Sequence, residues 1–341
     1  MRFALTAEQR QFGDAVHDLL ARASVPAAAR AWACGDHAAG LAIWRELAAT
    51  GVPALAVPES CGGLGAQPVD LVVACEELGH HPVPGPVAES VAAVPALLAA
   101  LSGNTAARDW LAVLAGGELV ATLAMPPRVP YALDADVAGL VLLAGQAGPE
   151  AGTIWQARPG SAHRSSDPAR RLYEVFPIRV VAAGPGAVAD AATRFGTLAS
   201  AAVLLGAGRA LLEAAVAHAK TREQFGRPVG AFQAVKHALA DVLIGLEFAR
   251  PLLYAAAISL GAGAATTARD ISAARVACAD AAQRAARTAL QVHGAIGYTL
   301  ECDVSLWLAK VRALSATWGT QSEHRATVLA ALQDEHTGPW R

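Results

Sequence analysis

The sequence predicts a mainly α-helical protein with a small β domain in its centre. Apolar residues recur with a helical period in the first and last parts of the chain, and short β-favouring runs separated by Pro, Gly, Asp and Ser lie between them. From this change of pattern we predict an N-terminal α-helical domain over residues 1–117, a reduced β domain over 118–186 and a C-terminal four-helix bundle over 187–341.

The N-terminal part begins with a helix signal. Thr6 and Gln9 have the spacing of a capping box and stand before a run whose apolar residues share one helical face. Helical periods also run through residues 41–49 and 68–78. Between them, the Gly-rich run 58–65 predicts a tight loop that joins two helices, because glycines favour turns over helix interiors.

The central part contains four short runs rich in β-favouring residues, at 119–123, 139–143, 153–156 and 172–181. Turn-forming clusters separate these runs, which predicts a small and mainly antiparallel sheet. We expect residues 158–171 to form an exposed loop.

The last part returns to a helical period in four long, Ala-rich segments, at about 187–220, 231–261, 264–293 and 303–334. Four such segments predict a helix bundle. Their apolar faces are more extensive than one chain can cover, so a dimer or a dimer of dimers is expected.

Composition limits the partners. A chain of 341 residues with 27 Lys plus Arg against 29 Asp plus Glu carries a net charge of −2, which gives no basic surface for nucleic acid. The longest apolar stretches, at 199–205 and 255–260, are too short to span a membrane, so no membrane partner is expected.

The five cysteines are scattered and odd in number, and none has CxxC spacing. This pattern favours neither a disulfide framework nor a zinc site. The first residues also lack the pattern of a secretory signal. We therefore expect a cytoplasmic protein.

Three local patterns are weak evidence for a binding or catalytic site. Gly206 and Gly208 lie inside a helical run with no strand before them, so they predict close helix packing and not a dinucleotide fingerprint. The adjacent His80 and His81 are expected to point apart with no third ligand nearby, and we predict no metal site. Glu76 and Glu77 are likewise adjacent on a helix and are not expected to form a carboxylate pair.

Several segments carry a family resemblance that spans nearly the whole chain. Residues 222–226 read REQFG and are followed by Phe232 and Gln233, while residues 291–297 read QVHGAIG. Earlier in the chain, the runs WREL at 44–47 and EELG at 76–79 occur in a matching order and spacing. This ordered set resembles the acyl-CoA dehydrogenase family, and it implies that family's fold: an N-terminal helical domain, a β domain and a C-terminal four-helix bundle.

The resemblance implies a flavoenzyme that oxidises an acyl-CoA thioester between its α and β carbons, with FAD as cofactor and an electron-transfer flavoprotein as acceptor. In the family, the segments that resemble 222–225 and 291–294 reach across a subunit interface to the partner's FAD. The implied cofactor-binding residues are Arg222, Gln224, Phe225, Gln233, Gln291, Gly294 and Thr320.

The chemistry of most of these residues suits a flavin dinucleotide. A diphosphate needs a cation and directed donors, which Arg222 and the amides of Gln224 and Gln233 supply. A close backbone approach at Gly294 adds a further donor, and the Phe225 ring can cover an adenine or ribose face.

The sequence departs from the family at its catalytic base. The family's usual carboxylate immediately precedes a Gly-Thr pair, and here that position is Trp318. A second family location for the base falls at Gly196-Thr197, again without a carboxylate. We therefore assign no catalytic residue to this chain. The flavin-contacting Thr-Glu-Pro-Gly segment survives only as hints at 121–127, and a later Trp-Ile-Thr-Asn segment is missing.

Three interpretations stay open. The chain resembles the short subunits of heteromeric bacterial acyl-CoA dehydrogenases of steroid degradation, whose longer homologous partner supplies the base. A self-contained homo-oligomer with a non-standard base is the second, with candidates Asp190, Glu247 and Glu323. A non-enzymatic module that binds acyl-CoA or a protein on the same fold is the third.

Overall fold

The computed structural model describes residues 4–101, 103–145, 151–183 and 187–336. Six helices form the N-terminal part of the described chain. They are α1 (Ala7–Arg22), α2 (Val25–Ala33), α3 (Ala38–Ala49), α4 (Pro68–His80), α5 (Val94–Ala99) and α6 (Thr105–Ala115).

The predicted start of α1 is confirmed. Thr6 Oγ1 accepts a hydrogen bond from the Gln9 backbone N–H at 3.2 Å, and the Gln9 side chain accepts one from the Thr6 N–H at 3.1 Å. These two bonds satisfy donors that a helix start leaves free. The predicted helices at 41–49 and 68–78 are confirmed as α3 and α4, and α4 is buried along almost its whole length.

A five-stranded sheet follows. Its strands are β1 (Ala121–Ala124), β2 (Ala132–Leu133), β3 (Leu140–Ala144), β4 (Thr153–Arg164) and β5 (Arg171–Ala183). The strand order is β1-β3-β4-β5-β2, with β1 parallel to β3 and the other neighbours antiparallel. The predicted mainly antiparallel sheet is confirmed.

The expectation of a loop over residues 158–171 is wrong for its first half. Strand β4 continues to Arg164, and Arg158, Pro159 and Ala162 pair with residues of β5. The pairing tolerates Pro159 because the register shifts between Pro159 and Ala162, as at a β-bulge. Long-range pairing therefore overrides the local turn signal.

The C-terminal part is built on three long helices, α7 (Ala187–Thr221), α8 (Gln233–Gly261) and α9 (Thr267–His293). A short hairpin of β6 (Glu223–Gln224) and β7 (Arg227–Pro228) connects α7 to α8. The predicted fourth helix is not continuous, because it divides into α10 (Val304–Leu314) and α11 (Gln321–His336). Trp318 and Gly319 lie between them with φ of 58° and 98°, values that no right-handed helix accommodates.

Helix α7 packs closely against α4. A Cβ atom on Gly206 would lie 1.8 Å from the carbonyl oxygen of Glu76, and one on Gly79 would lie 2.1 Å from that of Val203. The glycines at these contacts allow the two backbones to approach, which confirms the helix-packing interpretation of Gly206.

Two helices of the described chain, Val188–Thr221 and Gln233–Gly261, are long and apolar enough to cross a membrane by those criteria alone. In the most apolar stretch of each helix, 83% of the first is buried but only 44% of the second. Helix α7 is thus a core helix, whereas α8 leaves an apolar face uncovered.

Candidate functional site

The REQFG segment forms the turn of the β6–β7 hairpin at one end of the bundle. Phe225 and Gly226 stand at its tip with φ of 54° and 76°, the left-handed pair that a tight two-residue hairpin turn requires. The Phe225 ring is 91% exposed and meets Phe232 edge-on at 6.1 Å between centroids. The guanidinium of Arg227 covers the other aromatic ring, 4.1 Å from the Phe232 centroid.

The QVHGAIG segment lies at the same end. Helix α9 stops at His293, whose imidazole stacks on His218 near the end of α7 with 4.3 Å between ring centroids. Gly294 follows with φ of 65°, and a Cβ built on it would meet nothing within 4 Å. The backbone at Gly294 is therefore open to a ligand or a second chain.

Six of the seven predicted cofactor-binding residues gather at this end of the bundle, and all six are exposed. They are Arg222, Gln224, Phe225, Gln233, Gln291 and Gly294. An exposed cation, three amides, an aromatic ring and an open backbone segment form a donor set that fits the diphosphate and adenosine of FAD.

Thr320, the seventh residue, lies elsewhere. It begins α11, where its N–H and Oγ1 donate to Glu323 at 2.6 and 2.9 Å. One turn on, His324 Nδ1 is 3.2 Å from the hydroxyl of Ser272, near the start of α9. Gln291 is at the opposite end of that helix, about 30 Å away at 1.5 Å per residue. The predicted cofactor-binding residues thus lie at two places, near the opposite ends of α9.

Trp318, for which the resemblance predicts the position of the family's base, is a core residue. Its side chain is 1% exposed, and its indole N–H donates to Glu89 Oε1 at 3.2 Å. A Cβ on Gly196 would lie 2.3 Å from the indole ring. The two positions predicted for a base, Trp318 and Gly196, are therefore neighbours in space, and the indole packs against Gly196.

Glu89 is the functional candidate that the sequence analysis missed. It is buried at the start of a wide helical turn, Glu89–Ala93, of the π type that is frequent at functional sites. Burial raises the pKa of its carboxyl, and Arg170, the indole N–H and Lys310 partly oppose that rise. An acidic residue in the apolar stretch 83–101 was the available sequence signal.

The three alternative bases are placed differently. Glu323 caps α11, and the backbone N–H and hydroxyl of Thr320 hold its pKa below the usual value. Glu247 pairs with Arg250 at 2.7 Å on the exposed side of α8. Asp190 is exposed in the first turn of α7. Glu323 and Glu247 are thus committed to structural contacts.

The expectation that His80 and His81 point apart is wrong. Helix α4 ends at His80, and His81 continues in an extended conformation that turns its ring back beside His80, with 5.0 Å between centroids. His17 of α1 joins them at 5.1 and 4.8 Å, and its Nδ1 is 2.8 Å from Glu77 Oε2. His17 and Glu77 are therefore a third and a fourth potential metal ligand beside His80 and His81.

The carboxylates of Glu76 and Glu77 also lie close together, because both bind Arg209. The Arg209 Nη1 donates to one oxygen of each carboxylate at 2.9 Å. Burial tends to raise the pKa of Glu77, but Arg209 and His17 outweigh it and lower that pKa. Burial and the neighbouring imidazoles of His80 and His17 lower the pKa of His81 to about 4, so His81 is neutral near pH 7.

The comparisons with known proteins agree with this architecture. The acyl-CoA dehydrogenase N-terminal domain matches residues 6–118, and the acyl-CoA dehydrogenase C-terminal domain matches 186–333. The acyl-CoA dehydrogenase IpdE2 of Mycobacterium tuberculosis is 33% identical over 331 residues, which cover 96% of this chain and 97% of that protein.

Two solved structures of paired proteins share the fold. The ChsE4–ChsE5 complex from Mycobacterium tuberculosis matches with a TM-score of 0.80 and 22% identity, over 98% of this chain and 99% of the matched chain. A variant of Tcur3481–Tcur3483, described as a steroid ACAD, matches with a TM-score of 0.83 and 23% identity, over 97% and 99%.

Fold and site together define a flavoprotein oxidoreductase that acts on acyl-CoA and uses FAD. The chain belongs to the acyl-CoA dehydrogenase family. Its resemblance to that family, expected from the REQFG and QVHGAIG segments, is confirmed.

Proposed function

We propose that the chain is the short subunit of a heteromeric acyl-CoA dehydrogenase whose longer homologous partner supplies the catalytic carboxylate. The observation that carries this proposal is the contact between Trp318 and Gly196, because the indole fills the space where the family places its base. An indole nitrogen has no lone pair available to remove an α-proton. The proposal therefore assigns the missing carboxylate to the partner chain.

The exposed end of the bundle supports a role across an interface. Arg222, Gln224 and Phe225 extend into solvent, and in the family the matching segments contact the FAD of a partner. Thr320 lies about 30 Å away along α9 and belongs to a different flavin position. The six exposed residues bind the diphosphate and adenosine of a flavin that is seated mainly in the partner.

Helix α8 offers the surface that such a partner covers. Its exposed apolar side chains are Leu243, Ile244, Phe248 and Leu252. Ile244, Phe248 and Leu252 follow one another at spacings of four residues, with Leu243 next to Ile244, and so form one stripe. Because the partner is a homologue, its corresponding bundle helix presents an apolar stripe of the same kind. We expect this helix pair to lie at the centre of the interface.

FAD, when bound, supplies the hydride acceptor for the β-carbon of the acyl-CoA. In this proposal, Arg222 neutralises the phosphate charge of the cofactor, while the Trp318 indole packs against Gly196 and leaves no space there for a base. The Tcur3481–Tcur3483 structure, a steroid ACAD, supports a steroid acyl-CoA as the substrate class, and the two paired structures support a heteromer as the assembly. A cytoplasmic location and an electron-transfer flavoprotein as acceptor are further parts of the proposal.

The test is co-expression with a longer homologue. We expect this chain to be colourless alone, and the co-purified complex to show a flavin spectrum and acyl-CoA dehydrogenase activity. Arg222→Ala and Phe225→Ala should reduce the flavin content of the complex, while Arg108→Ala, on the exposed face of α6, should leave it unchanged. Stoichiometric FAD with full activity in the chain purified alone would disprove the proposal.

A self-contained enzyme remains the second candidate because of one observation. Glu89 is a buried carboxyl group in contact with Trp318, at the position of the family's base. Should the chain alone be active, Glu89→Gln should abolish turnover, whereas Glu323→Gln and Glu247→Gln should not. Turnover that survives Glu89→Gln excludes Glu89 as the base.

A further inference from the structure

A cluster of three imidazoles and one carboxylate lies outside the flavin and base sites, between α1 and the end of α4. His17, Glu77, His80 and His81 each offer one donor atom, and these four atoms lie within 4.8 Å of one another. His17 and Glu77 are 60 residues apart in the sequence, so the fold brings the donors together.

The donor atoms lie close to one another. His17 Nδ1 is 2.8 Å from Glu77 Oε2 and 3.3 Å from His81 Nε2. A tetrahedral ion with bonds of about 2.0–2.1 Å needs its donors roughly 3.4 Å apart. Small side-chain rotations therefore suffice to open this cluster around an ion.

The surrounding residues orient the donors in the way that metal sites require. Arg209 holds Oε1 of Glu77 and leaves Oε2 toward His17. His80 Nε2 is bonded to Glu213 Oε2 at 2.8 Å, and its Nδ1 is buried with no hydrogen-bond partner within the described ranges. A carboxylate on the far nitrogen of a ligating histidine is the usual support of a metal site.

We propose that His17, Glu77, His80 and His81 bind a divalent transition-metal ion of the zinc class. Three imidazoles with one carboxylate suit Zn²⁺ and its neighbours Co²⁺ and Ni²⁺, while Mg²⁺ and Ca²⁺ prefer all-oxygen sites. The site is independent of the flavin, because none of its residues belongs to the 222–233 or 291–297 segments.

The ion links α1 to the end of α4, and Glu213 of α7 supports one of the ligands. His17 belongs to α1, the other three ligands to the end of α4, and the supporting Glu213 to α7. Binding fastens the first helix to the core of the protein. Since the ion binds the folded chain, its presence raises the unfolding temperature by mass action.

The test uses the full chain, stripped of metal with a chelator and titrated with Co²⁺ and Zn²⁺. We expect one equivalent of Co²⁺ to give the intense visible bands of a tetrahedral site, and Zn²⁺ to displace it. His17→Ala and His81→Ala should each weaken affinity at least ~100-fold, and Glu213→Gln about 10-fold. His17 is half-exposed, so His17→Ala should fold normally, as circular dichroism will show.

His163→Ala is the matched control, because His163 forms a similar pair with Glu174 at 3.0 Å on the sheet but belongs to no group of three or more potential metal ligands among the described residues. It should bind one equivalent with wild-type affinity. The proposal is overturned if the wild-type chain binds no stoichiometric Co²⁺, or if His17→Ala or His81→Ala binds it as tightly as the wild type.

Discussion

The indole of Trp318 rests directly on the α-carbon of Gly196, so closely that a methyl group at position 196 would lie 2.3 Å from the ring. Gly196→Ala should therefore destabilise the protein by about 1–3 kcal/mol through overpacking. Trp318→Ala should cost about 3–5 kcal/mol through the cavity that it leaves.

In the double variant the alanine at 196 has space, so the two costs should not add. We expect a coupling free energy of about 1–3 kcal/mol, measured by urea unfolding of all four proteins. Additive costs would mean that the two residues do not touch in solution.

The hydrogen bond from Trp318 to Glu89 gives a second prediction. Trp318→Phe removes the indole N–H, which favours the charged carboxylate, so the pKa of Glu89 should rise further above its ordinary value. Carboxyl infrared bands followed across pH report this change directly. Trp155→Phe, on β4, controls for the loss of an indole and should leave the bands unmoved.

The third prediction concerns pH and Asp134. Burial raises the pKa of this carboxyl to about 7, against about 3.9 in an unfolded chain, while the Arg171 N–H and Arg170 favour the charged form and Asp136 opposes it. Between these values the folded protein holds one more proton than the unfolded chain, so this group's contribution to stability is full below pH 4 and is lost as the pH rises to about 7.

Asp134→Asn lacks this titration, and Asn tolerates the φ of 48° found at this position. Relative to wild type, the variant should gain about 2–3 kcal/mol of stability between pH 5 and pH 8. Urea unfolding at the two values measures the difference. A constant offset between the proteins would show that Asp134 is ionised throughout.

The contact of α7 with α4 supplies a fourth prediction. Gly206→Ala places a methyl group 1.8 Å from the carbonyl oxygen of Glu76 and should separate the helices, at a cost above about 3 kcal/mol. Gly245→Ala on α8 is the matched control, because its Cβ would meet Ala281 at an ordinary 3.9 Å. Helix propensity should then stabilise the control by up to about 1 kcal/mol.

The proposed role of the apolar stripe on α8 in the subunit interface can be tested by measuring assembly. Phe248 is 74% exposed, so Phe248→Glu should leave the stability of the isolated chain almost unchanged but weaken the complex at least tenfold. Light scattering after size-exclusion chromatography measures the mass of the assembly. Leu64→Glu, at an exposed apolar position in the Gly-rich loop, should not change that mass.

Local patterns explain which elements the sequence could predict. The capping bonds of Thr6 and Gln9 and the long periods of α7 to α9 depend on neighbours within a few residues, and their bounds differ from the predictions by three residues at most. The extension of β4 past Pro159 depends instead on pairing with β5, and the break at Trp318 depends on an indole that is buried against α7.

The same distinction holds for the sites. The exposed REQFG and QVHGAIG segments are contiguous motifs, so their residues could be named in advance. The cluster of His17, Glu77, His80 and His81 was missed because its members come from two helices and because the end of α4 at His80 redirects His81. Glu89 was missed because its contact with Trp318 joins positions 229 residues apart.

Thr320 lies near the start of α9 and Gly294 just after its end, so one chain does not bring these two predicted flavin contacts together in one site. The number of flavins bound by an assembly therefore counts its complete sites. A symmetric pair of intact subunits completes two sites and carries one FAD per chain. In the proposed heteromer, only the site that combines the partner's ring contacts with the 222–233 and 291–294 segments of this chain is complete. The native complex should then contain one FAD for every two chains, a ratio that absorbance and mass determine together.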